Sequence, residues 1–325
     1  MNLVFDAARP VAAIVVGRAG MDLYPLPDGV DTESAESFAA EIGGSAANIA
    51  VAIARQQHAA SLLGVLSDDA VGRFVRRHLD RFGVDTSGCR TVSGTYRTSL
   101  ALCETRPADS ETVFYRNAAA DLQLREEDVD AALIARATFL VVTGTALAAE
   151  PSRSAALRSI ALARAAGTFS VLDLDYRPAS SSSREDTQRI LSEAAIQCDA
   201  VIGNDEEFAV LAGGSDRARE VASGLLRQGC QLVIFKRGSA GCLTMSQKQR
   251  FETAPFAVQA KKPFGSGDAF LGNLIVGLLR GLSLEAAVRR AAAAAAYVVA
   301  RRGCAFAMPS FSELDAFMAA YPSLS

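Results

Sequence analysis

Through most of this chain, short apolar runs closed by glycine or a polar residue alternate with segments of helical period. The runs fall at residues 11–16, 139–143, 171–175, 200–203 and 231–235. Each is too short for an amphipathic helix and suits a strand, and the first, residues 11–16, suits a buried one. Between them Ile49 and Ile53 lie one helical turn apart. Val71, Phe74, Val75, Leu79 and Phe82 keep the same period, with Gly83 as a stop. Pro151 reads as a first-turn proline. Two long helices are predicted near 267–281 and 283–301, and Ser310-x-x-Glu313 is a capping box for a last short one. This alternation predicts an α/β fold, a doubly wound and mostly parallel sheet with helices on both faces.

The texture changes between Arg90 and Asn117, where residues 98–102 and 112–115 are β-type runs with turn residues at Gly94 and around Pro107. That stretch reads as a small separate β-sheet flap. A hairpin is expected from Gly241 to about Val258, and residues 180–183, all serine, as a loop. With 325 residues, half of them apolar and about a fifth charged, the chain can bury a large core. A net charge of −3 advertises no nucleic acid, and the first apolar run is far too short to cross a bilayer. No basic segment leads into a cleavage site, so the expected compartment is the cytoplasm. The six cysteines are scattered without a Cys-x-x-Cys pair, as buried free thiols would be. His58 and His78 fall in helical patterns, and two histidines so placed argue against a zinc site or a Ser-His-Asp engine.

Chemistry concentrates in Phe264-Gly265-Ser266-Gly267-Asp268, small residues entering a helix. The amides there can form a phosphoryl-binding nest, and Asp268 in the first turn can take the proton of an attacking hydroxyl. The bland alternative is an ordinary first-turn aspartate. No Gly-Lys-Ser/Thr follows, so this is not a P-loop. Gly43, Gly44 and Asn48 form a second glycine-rich helix entrance, which suits either sugar hydroxyls or close helix packing. Asp22, just past the first strand, can accept from vicinal hydroxyls or cap a turn. Asn204 and Glu207 follow a strand end, where carboxylates hold Mg²⁺ through water or simply start a helix. Lys236, Gly238 and Gly241 make a Gly-x-x-Gly turn after the next strand, a shape that suits phosphates. Gly17-Arg18-Ala19-Gly20-Met21 lacks the full dinucleotide fingerprint, which excludes a dehydrogenase reading.

In this order, Gly-Gly-x-x-x-Asn, Asn-x-x-Glu, Gly-x-x-Gly and Gly-x-Gly-Asp resemble the ribokinase-like (pfkB) family of carbohydrate kinases over nearly the whole chain. The resemblance implies one kinase domain over 1–325, with a lid from roughly 19–42 and 90–118 that closes over the sugar and pairs two copies as a homodimer. It makes Asp268 the base and Gly265, Ser266 and Gly267 the anion hole. Asp22, Gly43, Gly44 and Asn48 become sugar ligands, and Asn204, Lys236, Gly238 and Gly241 contacts to ATP. Glu207 becomes the Mg²⁺ organiser. Stretches such as Gly17–Pro25, Ser67–Val75, Asp173-Leu-Asp-Tyr-Arg-Pro178 and Gly303–Pro309 are similar to the members that act on 5-dehydro-2-deoxygluconate in inositol breakdown, at its terminal hydroxyl. Arg97, Arg116 and Arg177 would then read the acid group, since a guanidinium fork suits a carboxylate. Ser45 stands where ribokinase has lysine, which argues against ribose. Lys262-Pro263-Phe264 replaces a common Asp-Thr, which weakens the case for a K⁺ site. The rivals are a 2-keto-3-deoxygluconate kinase or fructokinase of the same family, and a sugar-binding regulator without turnover.

Overall fold

The computed structural model describes residues 3–106, 109–178, 183–262 and 264–321. The turn expected around Pro107, Ser180, Ser181 and Ser182, and Pro263 lie outside these. Seven strands come first along the chain: β1 (Val11–Val16), β2 (Gly20–Leu26), β3 (Ser37–Gly43), β4 (Ala60–Ser67), β5 (Cys89–Val92), β6 (Ser99–Cys103) and β7 (Thr112–Tyr115). Then follow β8 (Ala137–Thr143), β9 (Phe169–Asp173), β10 (Ala200–Asn204), β11 (Leu232–Lys236), β12 (Cys242–Ser246) and β13 (Arg250–Thr253). The chain divides into two compact units, residues 1–17 with 122–255, and residues 18–121 with 256–325.

In the first unit the strands run in the order β13-β12-β11-β10-β9-β8-β1. From β1 to β11 every pairing is parallel, while β11, β12 and β13 close the edge antiparallel. Strands β1, β8 and β9 are buried along their whole length, as parallel strands covered on both faces must be. Helices Ser152–Ala166, Arg184–Ala195, Asp205–Ala212 and Ala218–Arg227 supply the crossovers. Pro151 stands one position earlier than the sequence suggested, as the N-cap residue rather than in the first turn. Polar side chains gather at the carboxyl ends of the parallel strands: Thr143, Asp173, Asn204 and Lys236. That edge is where open α/β sheets bind ligands.

The second unit holds the parallel pair β4 and β5 and a four-stranded sheet in the order β3-β2-β6-β7. Alternation along these strands sorts the small sheet into two faces. Asp22, Tyr24, Ala39, Glu41, Ala101 and Cys103 share one face, with Tyr24, Ala101 and Cys103 forming a buried cluster packed by Phe114 and Phe264. Asp22 thus follows the first strand, as expected, but sits inside β2 rather than in a turn. His58 likewise lies beyond the end of the Ser45–Arg55 helix, whereas His78 is helical.

Helices Ser45–Arg55 and Ser266–Leu279 approach closely because Gly272 has no side chain. A Cβ on it would lie 2.5 Å from the Ala52 Cβ. Asn48 and Asp268 are each one turn before those contact residues, so the same approach brings their side chains together. The Leu284–Val299 helix packs its alanines on the other side, where a Cβ at Gly277 would be 3.0 Å from the Ala287 Cβ.

Candidate active site

Gly265 is the N-cap of the Ser266–Leu279 helix, with φ +81° and no capping side chain. The first amides of a helix have no intrahelical acceptor, so those of Ser266, Gly267 and Asp268 present a positive helix end. Only glycine fits position 265, because φ is positive and a Cβ there would fall 2.7 Å from Cys304 Sγ. Asp268 is half-buried, and its Oδ2 accepts from Asn48 Nδ2 at 2.8 Å. That bond fixes the carboxylate at the same helix end as these amides. Lys262, only 1% exposed, donates from Nζ to the carbonyl of Phe264, immediately before the turn.

Asp22 is folded over Gly43: a Cβ on residue 43 would sit 2.0 Å from Asp22 Oδ2. Gly44, at φ +97°, passes so near Arg18 that a Cβ would lie 2.4 Å from its carbonyl oxygen. Tyr24 Oη lies 3.5 Å from both Asp22 Oδ2 and Cys304 Sγ. Burial pushes the Asp22 carboxyl above its ordinary range, opposed by the charge of Arg18. The Cys304 thiol is pushed up to about 11, also by burial, with Lys262 pulling the other way. Asp22, Gly43, Gly44, Asn48 and Gly265 to Asp268 thus form one connected set, joined through Tyr24 and Cys304. Arg97 and Arg116 are engaged elsewhere. Arg97 lies 3.6 Å from Asp69 and donates to the Tyr96 carbonyl, while Arg116 and Asp121 form a buried ion pair.

In the first unit Asn204 and Glu207 make a reciprocal capping box for the Asp205–Ala212 helix. Asn204 Oδ1 accepts from the Glu207 amide at 2.9 Å, and Glu207 Oε2 from the Asn204 amide at 2.7 Å. Glu207 is buried, and burial raises its pKa, with Lys236 opposing. Lys236 Nζ is 3.7 Å from Asp173 Oδ1. Burial pushes Asp173 up to about 7, again against Lys236 and reinforced by Glu207. Gly238 and Gly241 turn with positive φ, and a Cβ on Gly241 would meet the Thr253 carbonyl at 2.1 Å. Arg177 pairs with Asp175 at 3.0 Å and lines a pocket with Thr145, Leu174, Thr187 and Ile190.

For Mg²⁺, no group of three or more acidic, cysteine or histidine side chains among the described residues could enclose a metal ion. The buried acids Asp173 and Glu207 fit the other habit of Mg²⁺, held mainly by water and phosphate oxygens with few protein carboxylates. Tyr24 and Glu41, on the Asp22 face of the small sheet, are singled out by no sequence motif, whereas Asp173 opens a stretch that carries the resemblance without a role of its own. Alternation in β2 and β3 carries the available signal for the first two.

Residues 12–310 match the pfkB family of carbohydrate kinases. The chain belongs to that family. It is similar to a 5-dehydro-2-deoxygluconokinase of Photobacterium profundum, 42% identical over 98% of this chain and 97% of the relative. Among solved structures it is similar to a fructokinase with bound ATP from Xylella fastidiosa, at 26% identity and TM-score 0.84, covering 95% of this chain and 98% of the other. A Vibrio cholerae fructokinase double mutant with fructose, ADP and potassium ion bound aligns at 25% identity and TM-score 0.82, over 95% and 99% of the two chains. The mostly parallel sheet with its separate four-stranded sheet is thus the ribokinase-like fold, and this pfkB protein is a sugar kinase, a phosphotransferase with an alcohol acceptor.

Proposed function

We propose that the protein uses MgATP to phosphorylate the terminal hydroxyl of 5-dehydro-2-deoxygluconate, in inositol catabolism. The observation that carries this reading is the Asp268 carboxylate, held by Asn48 at a helix end whose amides lack capping side chains. Asp268 accepts the alcohol proton as the oxygen attacks the γ-phosphorus. The bond from that phosphorus to the β,γ-bridging oxygen breaks, and ADP leaves. The amides of Ser266, Gly267 and Asp268 stabilise negative charge on the transferring group, with Gly265 as their turn. Mg²⁺, when bound, neutralises phosphate charge, and Glu207 is the residue assigned to it. Asn204, Lys236, Gly238 and Gly241 are assigned to the nucleotide.

Asp22, Gly43, Gly44 and Asn48 are assigned to the sugar. Arg177, about half exposed and steadied by Asp175, is assigned to the acid group, with Arg97 and Arg116 as further basic contacts from the lid. The name of the Photobacterium relative supports this substrate. The potassium ion bound in the Vibrio fructokinase leaves a monovalent cation as a further activator to assay. ATP as donor and six buried, unpaired thiols suit the cytoplasm.

We read 1–325 as one kinase domain with residues 19–42 and 90–118 as its lid. The outer face of the four-stranded sheet supports a homodimer through it. Met21, Leu23, Phe38, Leu100, Val113 and Tyr115 share that face, and Tyr115 is 57% exposed. A contiguous apolar sheet face of this kind calls for a partner. Light scattering on the wild type and on Leu23→Asp should report a dimer and a monomer.

The test of function is ADP release with 5-dehydro-2-deoxygluconate, 2-keto-3-deoxygluconate and fructose as acceptors. The first should give the highest kcat/KM. Preference for fructose would replace the substrate, and binding without ADP release would replace the activity.

A further inference from the structure

Asp22 and Glu41 stand directly opposite each other across β2 and β3. Both are buried, at 5% and 8% exposure. Like charges in that position destabilise an antiparallel pair, so the arrangement needs a compensating role. Each keeps one buried oxygen without a hydrogen-bond partner, Asp22 Oδ1 and Glu41 Oε2. Asn48 Oδ1 is a third such acceptor, on an amide whose Nδ2 donates to Asp268.

Two glycines make room for the two carboxyl groups. Gly43 lies under Asp22, and Gly303, at φ +79°, lies so near Glu41 that a Cβ would be 1.9 Å from Oε2. Three cations lie near the pair, and each donates to another group. Arg18, whose charge opposes the burial of Asp22, donates from Nη1 to Ser99 Oγ at 3.2 Å. Arg302 Nε is 3.7 Å from the other oxygen of Glu41, while its Nη1 donates to Asp28 at 3.0 Å. Lys262 contributes charge to both acids, yet its ammonium is bonded to the Phe264 carbonyl. A buried acceptor without a donor is costly to leave so, and three of them in one connected site call for a ligand that brings donors.

We infer that Glu41 is a further specificity-determining residue of the sugar site, accepting from a second hydroxyl next to the one taken by Asp22. The inference rests on the sugar-kinase reading of the same site. It also orients the substrate. A wall of carboxyl and amide oxygens repels a carboxylate, so the hydroxyl-bearing stretch of a sugar acid faces Glu41 and its acid group faces away.

Glu41→Gln keeps the volume and replaces one acceptor oxygen by a donor. With the best acceptor of the wild type, KM for the sugar should rise about tenfold or more, with kcat and the KM for ATP within about threefold. Acceptors lacking one hydroxyl at a time should show a second signature. One particular deoxy position should be penalised in the wild type and no longer penalised in Glu41→Gln. An unchanged sugar KM, or the same penalty pattern in both proteins, overturns the inference. So does an equal rise in Arg302→Ala, because Glu41 would then serve only to anchor that arginine. Should Glu41→Gln fold poorly, Gly303→Ala, which crowds the same oxygen, must raise the sugar KM or the inference falls. Failure of the kinase reading looks different, as no polyol would release ADP with the wild type. Calorimetric binding of the same sugars to wild type and Glu41→Gln then decides the role of Glu41 alone, with equal affinities overturning it.

Discussion

Gly43→Ala probes how tightly the proposed sugar site is built. A methyl on residue 43 would lie 2.0 Å from Asp22 Oδ2 and 2.1 Å from its Cγ, more than an ångström inside van der Waals contact. The backbone on both sides is fixed by the β2 and β3 pairing, which includes Gly20 opposite Gly43. The side chain of Asp22 must therefore move, and it is 5% exposed with Tyr24 beside it. Overpacking of this sort costs about 1–3 kcal/mol of stability. A hydrogen bond to a charged group is worth about 1.5–3 kcal/mol, so losing the one from sugar to Asp22 should lower kcat/KM roughly 10- to 150-fold. Steady-state kinetics with varied sugar should show the loss in sugar KM and leave the KM for ATP in place, with urea unfolding reporting the stability term. Unchanged sugar kinetics in a destabilised protein would refute the assignment of Asp22 to substrate and leave Gly43 a packing residue.

Two other perturbations follow from the same geometry. Lys262→Met leaves the Phe264 carbonyl without its donor, and the expected cost is about 1–3 kcal/mol in denaturant unfolding; a change below about 0.5 kcal/mol would show that the ammonium is dispensable there. Asp173 is held up to about 7 from 3.8 by burial, so the folded protein binds its proton more tightly than the unfolded chain does. Its contribution to stability is complete below about pH 4 and is lost as pH rises through 7. Asp173→Asn should flatten that part of the Tm-against-pH curve, and an unaltered curve would assign the dependence to another group.

The order of strands and helices was legible because each element carries its own period and stop signals, such as Gly83 after the Ala70–Arg81 helix. The Gly265-to-Asp268 turn and the Asn204–Glu207 cap were legible for the same reason, since each is a local device. What escaped depends on contacts between distant segments. Glu41 acquires meaning only when β3 registers against β2. Lys262 reads as a surface residue by type, because lysine is rarely buried, until the turn closes over it. The three arginines stand out by the resemblance and by charge, but their pairing with Asp69, Asp121 and Asp175 shows only in the structure.

The most direct test of the phosphotransfer account is the rate of ADP formation by Asp268→Asn, saturated with ATP and sugar, beside the binding constants for both. Proton transfer by a positioned base contributes roughly 10²–10⁴-fold, so kcat should fall by that factor with both substrates still bound within a few-fold of wild type. Turnover within a few-fold of the wild-type rate would contradict it, because some other group would then be taking the proton.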